Sequence, residues 1–134
     1  GVVGCSPAPY YRFPIDLHVQ TTAATNRNMP VAVEMIHVYD SALADTIASM
    51  TATQWFRRRA DLEWRHPDGF ESWQWEWTPG QTIGTQQLPV ELHTHAVYLF
   101  AEYESAGAHR AKVPPFRSIE LELGATQFQA RPVR

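Results

Sequence analysis

The stretch Ala96-Val97-Tyr98-Leu99-Phe100-Ala101-Glu102-Tyr103 decides the class of fold. It is a short, nearly unbroken apolar run rich in aromatic residues, with no polar stripe at helical spacing. Such a run reads as a strand buried on both faces. Val31–Tyr39 is a second run of the same kind, with Val31, Val33 and Met35 on one face and Ile36 and Val38 on the other. Strands of a different character surround these two. Ile15, Leu17 and Val19 alternate with Asp16, His18 and Gln20, and Ile119, Leu121 and Leu123 alternate with Ser118, Glu120 and Glu122. A period of two with one polar face describes a strand wetted on one side. Trp73, Trp75 and Trp77 alternate in the same way with Ser72, Gln74 and Glu76. Leu88–Leu92 reads as an edge strand because Pro89 cannot donate to a ladder. Ala111–Val113 precedes the breaker Pro114-Pro115, and Gln127–Gln129 extends the last strand past Gly124.

One helical excursion interrupts the strands. Asp40 and Ser41 offer side-chain oxygens to a helix start, and Leu43, Ile47 and Met50 fall on one helical face. A second start follows at Thr51-Ala52-Thr53-Gln54, which has capping-box spacing. Trp55, Phe56, Ala60 and Leu62 carry this helix to His66-Pro67-Asp68-Gly69, where Pro and Asp-Gly end it. Thr78-Pro79-Gly80-Gln81 has the residues of a type II turn. The count predicts an all-β fold: a two-sheet antiparallel β-sandwich of seven to eight strands with a helical insertion between early strands.

Composition sets the outer bounds. At 134 residues and 44% hydrophobic, the chain suits one globular domain with a true core. Eleven Lys and Arg against fourteen Asp and Glu leave a net charge of −3, so bulk charge does not favour nucleic acid. A single Cys excludes an internal disulfide framework and a multi-thiolate zinc site. That cysteine lies in Gly1-Val2-Val3-Gly4-Cys5-Ser6-Pro7-Ala8-Pro9, an apolar tetrapeptide, a Cys and a proline-broken tether. The arrangement resembles the end of a bacterial lipoprotein signal peptide. The resemblance implies acylation of Cys5 and loss of Gly1–Gly4 from the mature protein. Residues 1–13 then form a leader and tether, and residues 14–134 a single sandwich domain.

Three further constellations invite a chemical reading. Glu91, His93 and His95 share one face if residues 88–92 and their continuation form a strand, and two imidazoles with a carboxylate suit zinc. The same pattern also describes the polar side of an edge strand. The Trp73–Trp75–Trp77 stripe spans about 14 Å on a strand. Exposed, it could stack on saccharide; buried, it is the inner face of a sheet. Arg57, Arg58 and Arg59, with Arg65 beyond, form the one dense positive patch and read as solvated helix surface with an option on anionic headgroups. No phosphate loop, G-x-S-x-G elbow or H-E-x-x-H helix is present. The expectation is therefore a protein that is not an enzyme and needs no cofactor beyond a covalent lipid on Cys5.

Taken together, Gly4-Cys5-Ser6, Asn28-Met29-Pro30-Val31-Ala32-Val33 with Ile36-His37-Val38-Tyr39, Thr78-Pro79-Gly80-Gln81, and Ala96–Tyr103 through Gly107, His109-Arg110 and Val113-Pro114 resemble the TssJ family of type VI secretion outer-membrane lipoproteins. Thr51–Arg65 and the tryptophan stripe depart from the family pattern. The resemblance implies a sandwich held by its acylated Cys on the periplasmic face of the bacterial outer membrane. It also implies docking to the periplasmic domain of an inner-membrane secretion-complex protein, with several copies in a larger assembly. The docking loop maps to Thr25, Asn26, Arg27, Asn28 and Met29. A saccharide- or peptidoglycan-binding lipoprotein using the Trp stripe is the competing expectation.

Overall fold

The computed structural model describes residues 11–133; the leader cysteine, Cys5, lies outside them. Eight strands form two four-stranded sheets. The strands are β1 (Ile15–Thr21), β2 (Val31–Val38), β3 (Phe70–Trp77), β4 (Gln86–Leu88), β5 (Ala96–Ala101), β6 (Arg110–Lys112), β7 (Ser118–Leu123) and β8 (Phe128–Pro132). Their spatial orders are β4-β1-β7-β8 and β3-β2-β5-β6. Helices α1 (Ser41–Ala48) and α2 (Ala52–Arg65) connect β2 to β3, where the insertion was expected.

All pairings are antiparallel except β1 with β7, which run parallel from Asp16↔Ser118 to Thr21↔Leu123. The sheet β4-β1-β7-β8 is therefore mixed within the expected, mainly antiparallel two-sheet sandwich. The two strands stand about a hundred residues apart in the chain, so no hairpin dictates their direction.

The two strand characters in the sequence correspond to two different burials. Ile15, Leu17, Val19, Ile119, Leu121 and Leu123 point into the space between the sheets, where they meet Val31, Val33, Met35, Val97, Leu99 and Ala101. The opposite faces of β1 and β7 are polar, and Arg131 of β8 spans Glu120 and Glu122 there at 3.1 and 2.9 Å. The second sheet is covered twice. Its other face presents Ile36, Val38, Ala96, Tyr98 and Phe100 to Leu43, Ile47, Met50, Trp55 and Leu62 of the helical layer. Trp55 has no exposed surface, stacking on Phe100 at 5.5 Å and meeting Phe70 edge-on at 5.6 Å. That second layer is why Val31–Val38 and Ala96–Ala101 are apolar on both faces.

Local chemistry fixes the helix ends. The Asp40 carboxylate accepts the Leu43 amide at 2.9 Å. Thr51 and Gln54 close a reciprocal capping box, with Gln54 Oε1 accepting from the Thr51 amide at 2.9 Å and Thr51 Oγ1 from the Gln54 amide at 3.2 Å. In the turn after β3, Gly80 takes φ +78° and the Gln81 amide bonds the Thr78 carbonyl at 3.0 Å.

Three boundaries differ from those read in the sequence. The strand expected over Leu88–Leu92 is Gln86–Leu88, and Pro89 ends it. Phe128–Pro132 does not prolong β7 but folds back on it, through a turn in which the Gly124 amide bonds the Gln127 carbonyl at 2.9 Å. The packed domain also begins before residue 14: Tyr11 is buried in the inter-sheet core, and its hydroxyl donates to the Val113 carbonyl.

Candidate functional site

The loop between β1 and β2 closes one end of the sandwich. Thr25 and Asn26 are buried and tie it to both sheets. Thr25 Oγ1 donates to the Leu123 carbonyl at 2.6 Å and accepts from the Thr22 amide at 2.9 Å. The Asn26 amide bonds the Gly124 carbonyl at 3.1 Å. Its side chain donates to the Pro30 carbonyl and accepts from the Glu104 amide, both at 3.0 Å. One residue, through its backbone amide and its side chain, thus links the end of β7, the entry to β2 and the segment after β5.

With its base held so firmly, the loop adopts backbone angles that L-residues seldom take. Asn26, Arg27 and Asn28 have φ of 49°, 52° and 63°, three successive left-handed residues. Asn tolerates this region; for a long side chain such as Arg it costs about 1–2 kcal/mol. The five residues implied by the family resemblance divide in two. Thr25 and Asn26 are anchors with no surface to offer, whereas Arg27, Asn28 and Met29 are exposed, Met29 at 44%. The turn thus holds out a flexible apolar side chain beside a cation, side-chain types that suit contact with another molecule. The polar run 21–29 before Pro30 marks a loop in the sequence, but the left-handed turn has no signature there beyond its two asparagines.

The tryptophan stripe belongs to the core. Trp77 is buried, and Trp73 and Trp75 are half-buried and packed on the inter-sheet cluster opposite Met35 and Val33. Trp75 stacks on Trp77 at 5.2 Å, and Trp73 lies 4.4 Å from the His37 ring. His37 itself is fully buried; its Nε2 lies 3.2 Å from Met35 Sδ and its Nδ1 has no partner. Burial lowers its pKa to about 4, so it is neutral in the folded protein at ordinary pH.

Glu91, His93 and His95 do not lie on a strand, so the shared face expected of them is absent. Glu91 instead opens a turn in which its carbonyl accepts both the Thr94 amide at 3.0 Å and the Thr94 hydroxyl at 2.6 Å. The His93 ring lies 4.2 Å from the Tyr39 ring at a tilt of 36°, and all three side chains are exposed. Among the described residues no group of three or more His, Cys, Asp or Glu is placed to hold a metal ion. His109, in the loop between β5 and β6, stays beside Tyr103 at 5.0 Å, with Nε2 2.7 Å from the Ser105 carbonyl oxygen.

The arginine patch also divides. Arg57 and Arg58 are exposed, but Arg59 turns inward and its Nε lies 2.9 Å from Oε1 of Glu34, a carboxylate with no exposed surface. Reading all three as solvated surface therefore fails at Arg59. The missing signal was Glu34, a carboxylate in the otherwise apolar run Val31–Val38.

The described residues thus form a two-sheet sandwich with a helical outer layer, presenting a braced loop at one end. This sandwich has the TssJ-like fold. Serratia marcescens Lip, a membrane bound component of the Type VI Secretion System, superposes at a TM-score of 0.68, with 16% identity over 92% of this chain and 98% of that one. A chain of a Type VI membrane complex matches at 0.69, with 14% identity over 90% and 98%. The T6SS lipoprotein TssJ1 from Pseudomonas aeruginosa matches at 0.62, with 17% identity over 94% and 100%. No protein-family model and no curated protein matches the chain.

Proposed function

We propose that this chain is a non-enzymatic lipoprotein of a type VI-like secretion complex. On this reading it is anchored by an acylated Cys5 to the periplasmic face of the outer membrane. It docks the periplasmic domain of an inner-membrane partner, and several copies enter one trans-envelope assembly. The observation that carries the reading is the braced loop: Thr25 and Asn26 lock its base to both sheets while Arg27, Asn28 and Met29 are held out to solvent. The similar folds named above belong to membrane-complex components and lipoproteins, which supports the same reading. It calls for no cofactor other than the lipid itself.

Docking is tested by substituting the exposed residues. Arg27→Glu and Met29→Asp should abolish capture of the periplasmic domain of the cognate inner-membrane protein from detergent-solubilised envelope, with no change in Tm. Undiminished capture by both variants would refute the docking role. Anchoring is tested separately. Cys5→Ser should release a folded domain from the membrane fraction, and a native mass lacking acyl weight would remove the anchor from the proposal.

A further inference from the structure

Helix α2 carries an exposed ridge that docking through the β1–β2 loop does not use. Trp64 is 85% exposed, the most exposed of the large apolar side chains on the described surface. It lies seven residues after Arg57, two helical turns on and about 10 Å along the same line. Trp55 and Leu62 bury the opposite side of the helix against the second sheet. The ridge therefore points directly away from the core, flanked by Thr53, Ala60 and Asp61.

Charge sets this helix apart from the rest of the molecule. It holds Arg57, Arg58, Arg59 and Arg65 against Asp61 and Glu63, in a protein of net charge −3. Arg59 is occupied by Glu34, and Arg65 pairs with Asp61 at 3.1 Å. Among the described residues Arg57 and Arg58 have no ion-pair partner, so they are free to meet an anion.

An indole held out on a helix one ridge-length from the unpaired Arg57 guanidinium, with Arg58 turned about a third of a turn away toward α1, has the chemistry of the membrane–water interface. The amphipathic ring settles at headgroup depth, and the cations meet lipid phosphates. We propose that the Arg57–Trp64 ridge is a peripheral docking surface for an anionic phospholipid bilayer, laying α2 flat on the headgroups. This contact is separate from any acyl anchor and would orient the domain rather than retain it.

The test uses the full chain carrying Cys5→Ser, so that no lipid is attached. It is mixed with vesicles of phosphatidylglycerol and phosphatidylethanolamine, or of phosphatidylcholine alone, at low ionic strength. Binding should favour the anionic vesicles and weaken with salt, and Arg57→Gln should reduce partition about fivefold, more than Arg58→Gln, whose side chain leaves the ridge line. Brominated lipid should quench part of the tryptophan emission, and that part should vanish in Trp64→Ala, which disturbs no buried contact. Three results would overturn the proposal: no binding to anionic vesicles, equal binding to neutral ones, or quenching that survives Trp64→Ala. Absence of vesicle binding would leave the ridge to a protein partner. Because the acyl chain is removed at the outset, failure of the anchor and failure of the ridge are told apart.

Discussion

Arg59 reaches from α2 to the outer face of the second sheet and places its Nε 2.9 and 3.1 Å from the two carboxylate oxygens of Glu34. The carboxylate sits in the middle of β2 with no exposed surface, and no other cation approaches it within an ion-pair distance among the described residues. This buried ion pair pins the helical layer to the sheet within a largely apolar contact, and Arg110 of β6 adds a bond to the Met50 carbonyl.

Removing only one partner strands a buried charge, whereas removing both does not. Arg59→Met is expected to cost about 3 kcal/mol in chemical denaturation, at the low end for a buried pair because Arg59 is partly exposed. Glu34→Leu combined with Arg59→Met should be less destabilising than Arg59→Met alone. A double variant that costs as much as the sum of the singles would show that the pair does not interact.

His37 predicts a pH dependence of definite sign. Its pKa is lowered to about 4 in the folded chain by burial, against 6.5 when unfolded. Between those values the unfolded state binds a proton that the native state refuses, so stability falls as pH drops from 6.5 to 4 and is unaffected by this group above 6.5. The full loss is about 3 kcal/mol. Thermal melts from pH 7 to 4 should show it as a difference from His37→Leu, whose profile should be flatter over the same window. Parallel profiles would mean that His37 is already solvated or protonated in the native protein.

Strand and helix placement was legible because each signal is local. Alternation at Ile119, Leu121 and Leu123 follows from one wet face, and Thr51 with Gln54 closes a box three residues long. What was not legible depends on partners far along the chain. Val31–Val38 reads as central in any sheet, but only the α1–α2 layer explains its second buried face. Arg59 looks like its neighbours Arg57 and Arg58 until Glu34, 25 residues earlier, is brought beneath it. Glu91, His93 and His95 showed the reverse failure, because a spacing that gives a common face on a strand gives none in a turn.

Burial of the tryptophan stripe makes stability, not ligand binding, the property that its loss should change. Trp77→Ala removes a core ring and is expected to cost about 3–5 kcal/mol. Trp73→Ala should cost less, since that ring is only half-buried. Peptidoglycan fragments at millimolar concentration should leave the emission spectrum unchanged. A saturable quench that disappears in Trp73→Ala without loss of stability would restore the saccharide reading.

The left-handed turn at Arg27 separates what the loop needs for folding from what the proposed docking requires of it. Glycine takes φ near +52° without the steric cost borne by arginine, but it loses more backbone freedom on folding. The balance should make Arg27→Gly more stable than the parent by about 0.5–1 kcal/mol. The same change deletes a side chain that the loop presents, so capture of the inner-membrane partner should fall. Asn26→Ala should act in the opposite order. It strips the hydrogen bonds to Pro30 and Glu104 and forces alanine into the same backbone region, lowering Tm first and docking as a consequence. Paired measurements of Tm and capture on the two variants should therefore move in opposite senses for Arg27→Gly and in the same sense for Asn26→Ala. If Arg27→Gly binds the partner as well as the parent does, the guanidinium at the loop tip is not a contact.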